Sequence, residues 1–127
     1  MIARLKTTAL YFLILAGGLG VGLAIAKLPK LLEKRYQQGD YSAYFSTSNV
    51  KVVIYGTSTC PFCAKARDHL THKKIAFSDF NVDKSEIANE QFKTLKGTVV
   101  PVIIIGDRLI TGFQPDVIDE ALRAAVH

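Results

Sequence analysis

The chain has 127 residues but only two cysteines, one methionine and no tryptophan. Two cysteines cannot make the cross-linked framework of a small secreted domain, which needs several widely spaced pairs. There is no internal repeat and no low-complexity tract, which argues against a solenoid or a biased, unfolded chain. The net charge is +5, yet the C-terminal part has no basic stripe interleaved with aromatics, so a nucleic-acid surface is not supported. Charge is missing altogether from Thr7 to Ala26. Acidic residues are scarce in the N-terminal third, where Arg4, Lys6, Lys27, Lys30, Lys34 and Arg35 are set against Glu33 and Asp40 alone. Basic residues flanking an apolar segment usually face lipid headgroups.

The uncharged run is long enough to matter. About 20 residues at 1.5 Å each cover roughly 30 Å, the thickness of a bilayer core. Residues 1–26 therefore read as a single-pass membrane anchor, with Pro29 expected to stop or kink the helix. A cleaved signal segment is the competing reading, because Ala24-Ile25-Ala26 resembles a cleavage triplet, although a signal's apolar stretch is usually only about 7–15 residues. Counting positive charges leans toward a C-terminal domain on the cytoplasmic side of a bacterial-type inner membrane; a signal-anchor reading leans the other way. Gly18 and Gly22 form a small-residue pair through which two such helices could approach closely. Residues 27–49 read as a basic, then polar, linker, in which Leu28, Leu31, Leu32 and Tyr36 keep helical spacing and Gly39-Asp40 and residues 46–49 mark turns.

Residues 50–127 form a small domain containing both cysteines. An apolar β-type run over 51–55 leads into Thr59-Cys60-Pro61-Phe62-Cys63. Cys60 falls at the predicted N-terminus of a helix, where unpaired N–H groups and the macrodipole favour a thiolate. Cys63 lies about one turn further on, close enough to attack a disulfide formed at Cys60. Further on, periodicity predicts a helix over 61–72 with Cys63, Ala66, Arg67 and Leu70 on one face. A strand follows over 75–82, then a helix over 85–95 with Ile87, Ala88, Phe92 and Leu95 inward. Next come a buried strand over 101–105, a hairpin through Gly106-Asp107, and a last helix opened by Pro115 and carrying Val117, Ile118, Ala121, Leu122 and Val126. The order β-α-β-α-β-β-α predicts an α/β domain, a four-stranded mixed sheet with helices on both faces.

These residues resemble a dithiol glutaredoxin of the thioredoxin fold. Cys60-Pro61-Phe62-Cys63 is similar to the family's Cys-Pro-Tyr-Cys, Thr98-Val99-Val100-Pro101 to its Thr-Val-Pro loop, and Gly112-Phe113 to its later glycine turn. The resemblance implies that Cys60 is the nucleophile and Cys63 the resolving thiol. It implies a cis Val100–Pro101 bond that sets the Val100 backbone beside the sulfurs, a glycine at 112 that admits a ligand, and substrate contacts from Thr59, Pro61, Phe62 and Phe113. There are departures: Thr57 stands where many glutaredoxins have a lysine that assists glutathione binding, and Gln114-Pro115 replaces an acidic pair. The stretch Gly112-Phe113-Gln114-Pro115-Asp116 is closer to the glutaredoxin-like hydrogen donors of ribonucleotide reductase, which are fed by thioredoxin reductase.

The expectation is thus a thiol–disulfide oxidoreductase that reduces protein disulfides or glutathione mixed disulfides. It has no tightly bound cofactor; glutathione as co-substrate, or a thioredoxin-reductase-like donor, supplies electrons, and lipid is met through the N-terminal helix. A periplasmic disulfide isomerase or oxidase on the same fold is the alternative. A metal or iron–sulfur module is weaker, because His69 lies six residues after Cys63, on the opposite side of the helix, so that His69 and His72 read as solvated.

Overall fold

A computed structural model of the chain describes residues 1–32 and 35–125, and of residues 2, 3 and 27–32 only the helical backbone. Two units are distinguished, Met1–Lys34 and Arg35–His127. The first is one helix, α1 (Ile2–Leu32). Its segment Arg4–Ala26, with a mean hydropathy of 2.2, is long and apolar enough to cross a membrane by length and composition. Pro29 does not end the helix, which continues to Leu32. A single missing N–H removes one rung of the ladder, and the residues beyond it can remain helical. The expected basic flank (Lys27, Lys30, Lys34) and the apolar spacing of Leu28, Leu31 and Leu32 lie outside the described side chains.

The second unit contains β1 (Gln37–Gln38), a 3-10 turn (Ser42–Tyr44), β2 (Val52–Gly56), α2 (Pro61–His72), β3 (Ser78–Asn81), α3 (Glu86–Thr94), β4 (Val102–Ile105), β5 (Arg108–Thr111) and α4 (Pro115–Ala125). The strands lie in the order β1-β5-β4-β2-β3. β2 and β3 are parallel, and the other neighbours antiparallel. β2 and β4 are buried along their whole length, which is why they read as unbroken apolar runs.

Alternate residues of a strand point to opposite faces, and here they feed two cores. Val52, Ile54, Ile103 and Ile105 pack with Ala66 and Leu70 of α2 and with Val117, Ile118, Ala121 and Leu122 of α4. Val53, Tyr55, Val102 and Ile104 pack with Ala88 of α3 and, on their margin, with Tyr41, Tyr44 and Phe45. Full burial of such an aliphatic side chain contributes about 1.5–3 kcal/mol. The mixed sheet with helices on both faces is as expected.

Some expectations need correction. The sheet has five strands rather than four, because part of the supposed linker 27–49 is folded. Gln37 and Gln38 pair with Leu109 and Arg108, and the Gly39 amide donates to the Asp107 carbonyl at 2.9 Å. Both strand residues are exposed, so no hydrophobic alternation announces this edge strand. β3 covers only Ser78–Asn81, with Ile75 and Phe77 packing against the core ahead of it. Ile87 is 74% exposed rather than inward, since Ala88, the next residue on α3, takes the buried position. Val126 lies outside the described residues.

Candidate active site

The site is assembled where β2 ends and α2 begins. Cys60 is the N-cap residue of α2, in extended backbone, and Pro61 occupies the first turn, where its missing N–H costs nothing. The Cys63 amide donates to Cys60 Sγ at 3.1 Å. This is one of the N–H groups that a helix leaves unpaired at its N-terminus, here satisfied by the sulfur. Cys60 is partly exposed and Cys63 buried, and both are free thiols.

Cys63 lies beneath its partner. Burial is the chief cause that pushes its thiol up to about 11, followed by the hydrogen bond with Cys60; the Thr57 amide and the Arg67 charge act in the opposite direction. The space around it is tight. Gly56 closes β2, and a Cβ there would lie 3.0 Å from Cys63 Sγ and 3.2 Å from Arg67 Nη2. Close approach therefore favours glycine at this position, since a Cβ would make these side chains give way.

The loop before β4 forms the other wall. The Val100–Pro101 bond is cis, and Cys60 Sγ is 3.9 Å from the Val100 carbonyl oxygen. The Pro101 carbonyl in turn accepts from the Gly112 amide at 2.7 Å. Gly112 has φ +78, with open space where a Cβ would project, so backbone conformation accounts for the residue and leaves its outer side accessible. Cys60, Cys63, Val100, Pro101 and Gly112 thus form one connected site. Thr59 and Pro61 are exposed beside it. Phe62 is 57% exposed, with the Lys65 ammonium 5.5 Å from its ring centre. Phe113 is half-buried, its ring edge-on to His69 at 5.8 Å.

Three contributors went unnoticed as site residues in the sequence. Arg67 grips Asp79 of β3 with two hydrogen bonds, of 2.8 and 3.1 Å, and donates from Nη1 to the Thr57 carbonyl at 3.2 Å. Asp79 and its hydrogen bonds hold the guanidinium pKa above its ordinary value. Asn81 Nδ2 donates to Ser58 Oγ at 2.8 Å and ties the loop to β3. Only the four-residue step from Cys63 to Arg67 was available as a signal. His69 is not solvated as expected: its side chain is 20% exposed and its Nε2 lies 2.6 Å from Asp119 Oδ1 on α4. Among the described residues, no three His, Cys, Asp or Glu side chains converge as metal ligands would. A cavity of about 710 Å³ lies at the opposite end of the sheet, near Gly39, Phe45, Lys51 and Asp107, away from the thiols.

The Glutaredoxin family model matches residues 52–110. Over 73 residues the chain is 39% identical to an uncharacterized glutaredoxin-like 8.6 kDa protein in the rubredoxin operon of Clostridium pasteurianum, a span covering 57% of this chain and 97% of that protein. The chain belongs to the glutaredoxin family. It is also 30% identical over 78 residues to the glutaredoxin-like protein NrdH of Escherichia coli, covering 61% of this chain and 95% of the relative. The glutaredoxin grx-1 of Archaeoglobus fulgidus has a similar structure, with TM-score 0.54 and 27% identity over 67% of this chain and 98% of that one. The NrdH-redoxin of Escherichia coli gives 0.51 and 29% over 54% and 91%. The fold is thioredoxin-like, as the resemblance implied.

Proposed function

We propose that this glutaredoxin is a dithiol reductase of protein disulfides and glutathione mixed disulfides, held at a membrane by α1. The observation that carries the reading is the pair of sulfurs: Cys60 Sγ accepts from the Cys63 amide at the start of α2, with Cys63 buried behind it. Cys60 as thiolate attacks the target disulfide, forming a mixed disulfide and expelling one substrate sulfur, which takes up a proton. Cys63 then loses its proton and attacks Cys60 Sγ. The second substrate sulfur leaves and is protonated, and Cys60 and Cys63 end as a disulfide. Two electrons pass to the substrate, and an external reductant restores the dithiol.

For that reductant a thioredoxin-reductase-type donor is favoured over glutathione. The supporting features are Thr57 in place of a lysine, the stretch from Gly112 to Asp116, and similarity to NrdH proteins. The NrdH-redoxin of Escherichia coli is described as having a thioredoxin-like activity profile. The catalytic domain is assigned to the cytoplasmic face, where such reductants are available.

The test uses full-length protein in detergent micelles, with NADPH oxidation coupled either to thioredoxin reductase or to glutathione and its reductase. Turnover of a protein disulfide is expected with the first system, abolished by Cys60→Ser. In the second system, where glutathione itself can attack and release what Cys60 has captured, Cys63→Ser should still turn over a glutathione mixed disulfide in part. Equal loss in both variants would refute the order of attack, and turnover with glutathione alone would refute the choice of donor. An impermeant thiol reagent on intact cells reads the side of the membrane: Cys60 labelled from outside would refute the assignment.

A further inference from the structure

The second half of the reaction sets a problem. Cys63 must become a thiolate to attack, since the thiol is a poor nucleophile, yet it is fully buried. Once Cys60 is bound to substrate, its own negative charge is gone, and with it one influence that disfavours a second thiolate beside it. Burial remains. Of the groups facing Cys63, the Thr57 amide and the Arg67 guanidinium favour its ionised form.

Arg67 is well fixed for this. It lies one helical turn beyond Cys63 on α2. Nη2 and Cys63 Sγ lie 3.2 and 3.0 Å from the same point above Gly56, so the charge is within the distance of about 6 Å at which an opposite charge favours an anion. The two hydrogen bonds it donates to Asp79 and the one to the Thr57 carbonyl leave the fork little freedom to swing away. Asp79 also opposes part of the guanidinium charge. Among the described residues, the charged and titratable groups acting on the resolving sulfur are Cys60, Arg67 and, through Arg67, Asp79.

We infer that Arg67 is a positioning residue for the resolving step: clamped by Asp79 and Thr57, it holds a positive charge beside Cys63 Sγ and promotes attack on the Cys60 mixed disulfide, with Asp79 limiting its strength. The inference rests on the dithiol mechanism proposed above. Electrons balance as before: the Cys63 proton goes to solvent, the Cys60–Cys63 bond forms, the Cys60–substrate bond breaks, and the departing sulfur is protonated.

The experiment mixes reduced full-length protein in micelles with 5,5′-dithiobis(2-nitrobenzoate) and follows nitrothiobenzoate release across pH. A first equivalent reports attack by Cys60 and a second reports resolution by Cys63. Arg67→Gln should leave the first phase within about twofold, slow the second about tenfold near neutral pH, and raise its pH midpoint by about one unit. Arg67→Lys should recover most of the second phase. Asp79→Asn should move the midpoint the other way, downward. A second phase unchanged in Arg67→Gln would overturn the inference, as would an upward shift or none in Asp79→Asn. Lost packing would shift both variants alike. Should Arg67→Gln not fold, the direction of the Asp79→Asn shift decides alone. Release of one equivalent only by the unmodified protein would instead refute the dithiol mechanism itself.

Discussion

Alkylation should separate the two cysteines sharply, and the size of the difference can be worked from the site. The Cys63 thiol is pushed from an ordinary 9.0 to about 11, first by burial and then by its hydrogen bond with Cys60. Near pH 8 such a thiol is ionised in about one molecule in a thousand, against about one in ten for the ordinary group, so its reaction with iodoacetamide should be about 100-fold slower. Raising the pH should speed it about tenfold per unit until the curve bends near 11. Part of the upward push comes from Cys60, so in Cys60→Ser the slowing should be smaller, about ten- to 100-fold, with burial accounting for what remains. The assay treats reduced full-length protein with limiting iodoacetamide and locates the adduct in tryptic peptides by mass spectrometry. One adduct, on Cys60, is the expected product. Adducts shared evenly, or Cys63 in Cys60→Ser reacting at the rate of a free thiol, would refute the reasoning.

Further outcomes follow from packing and charge. Gly56→Ala forces a methyl group to 3.0 Å from Cys63 Sγ; overpacking of this kind costs about 1–3 kcal/mol, and an unaltered urea midpoint would show slack between β2 and α2. Leu70→Ala empties a fully buried site between α2 and the sheet; a loss of about 2–5 kcal/mol is expected by the same measurement, and a loss well under 1 would contradict the packing. Burial disfavours the Asp119 carboxylate, but hydrogen bonds from His69 and Lys73 outweigh it and hold the group below its ordinary 3.8. A depressed folded value means stability that is present above pH 3.8 and lost as pH falls through the lower folded value. Asp119→Asn should therefore unfold earlier in urea at neutral pH, with the gap to the unmodified protein closing in acid; a gap that persisted there would count against the ion pair.

The features legible in the sequence were those carried by local pattern. The run ending at Tyr55, the proline in the first turn of α2 and the three-residue step between the sulfurs locate the nucleophile without tertiary information. The helical period likewise gave Ala66 and Leu70, and the Pro115 signal gave α4. What stayed hidden depends on register. Asp79 reaches Arg67 because parallel pairing sets Ile54 opposite Asp79, and nothing in either segment alone specifies that alignment. Gly56 carries no sign of close approach in its own segment; the tight contact arises only where α2 lies across it. His69 was misjudged because its partner is 50 residues away on α4. β1 escaped notice because two exposed glutamines carry no apolar signal.

That edge strand governs where the chain can be cut. A soluble fragment begun at residue 50, the boundary that composition suggests, would discard β1 together with Tyr41, Tyr44 and Phe45, which close the core on the α3 side. The outer row of β5 amides and carbonyls would then be bare, a template on which fragments stick to one another. Expression trials should start at Arg35, which keeps the ion pair to Asp116 as well as the strand.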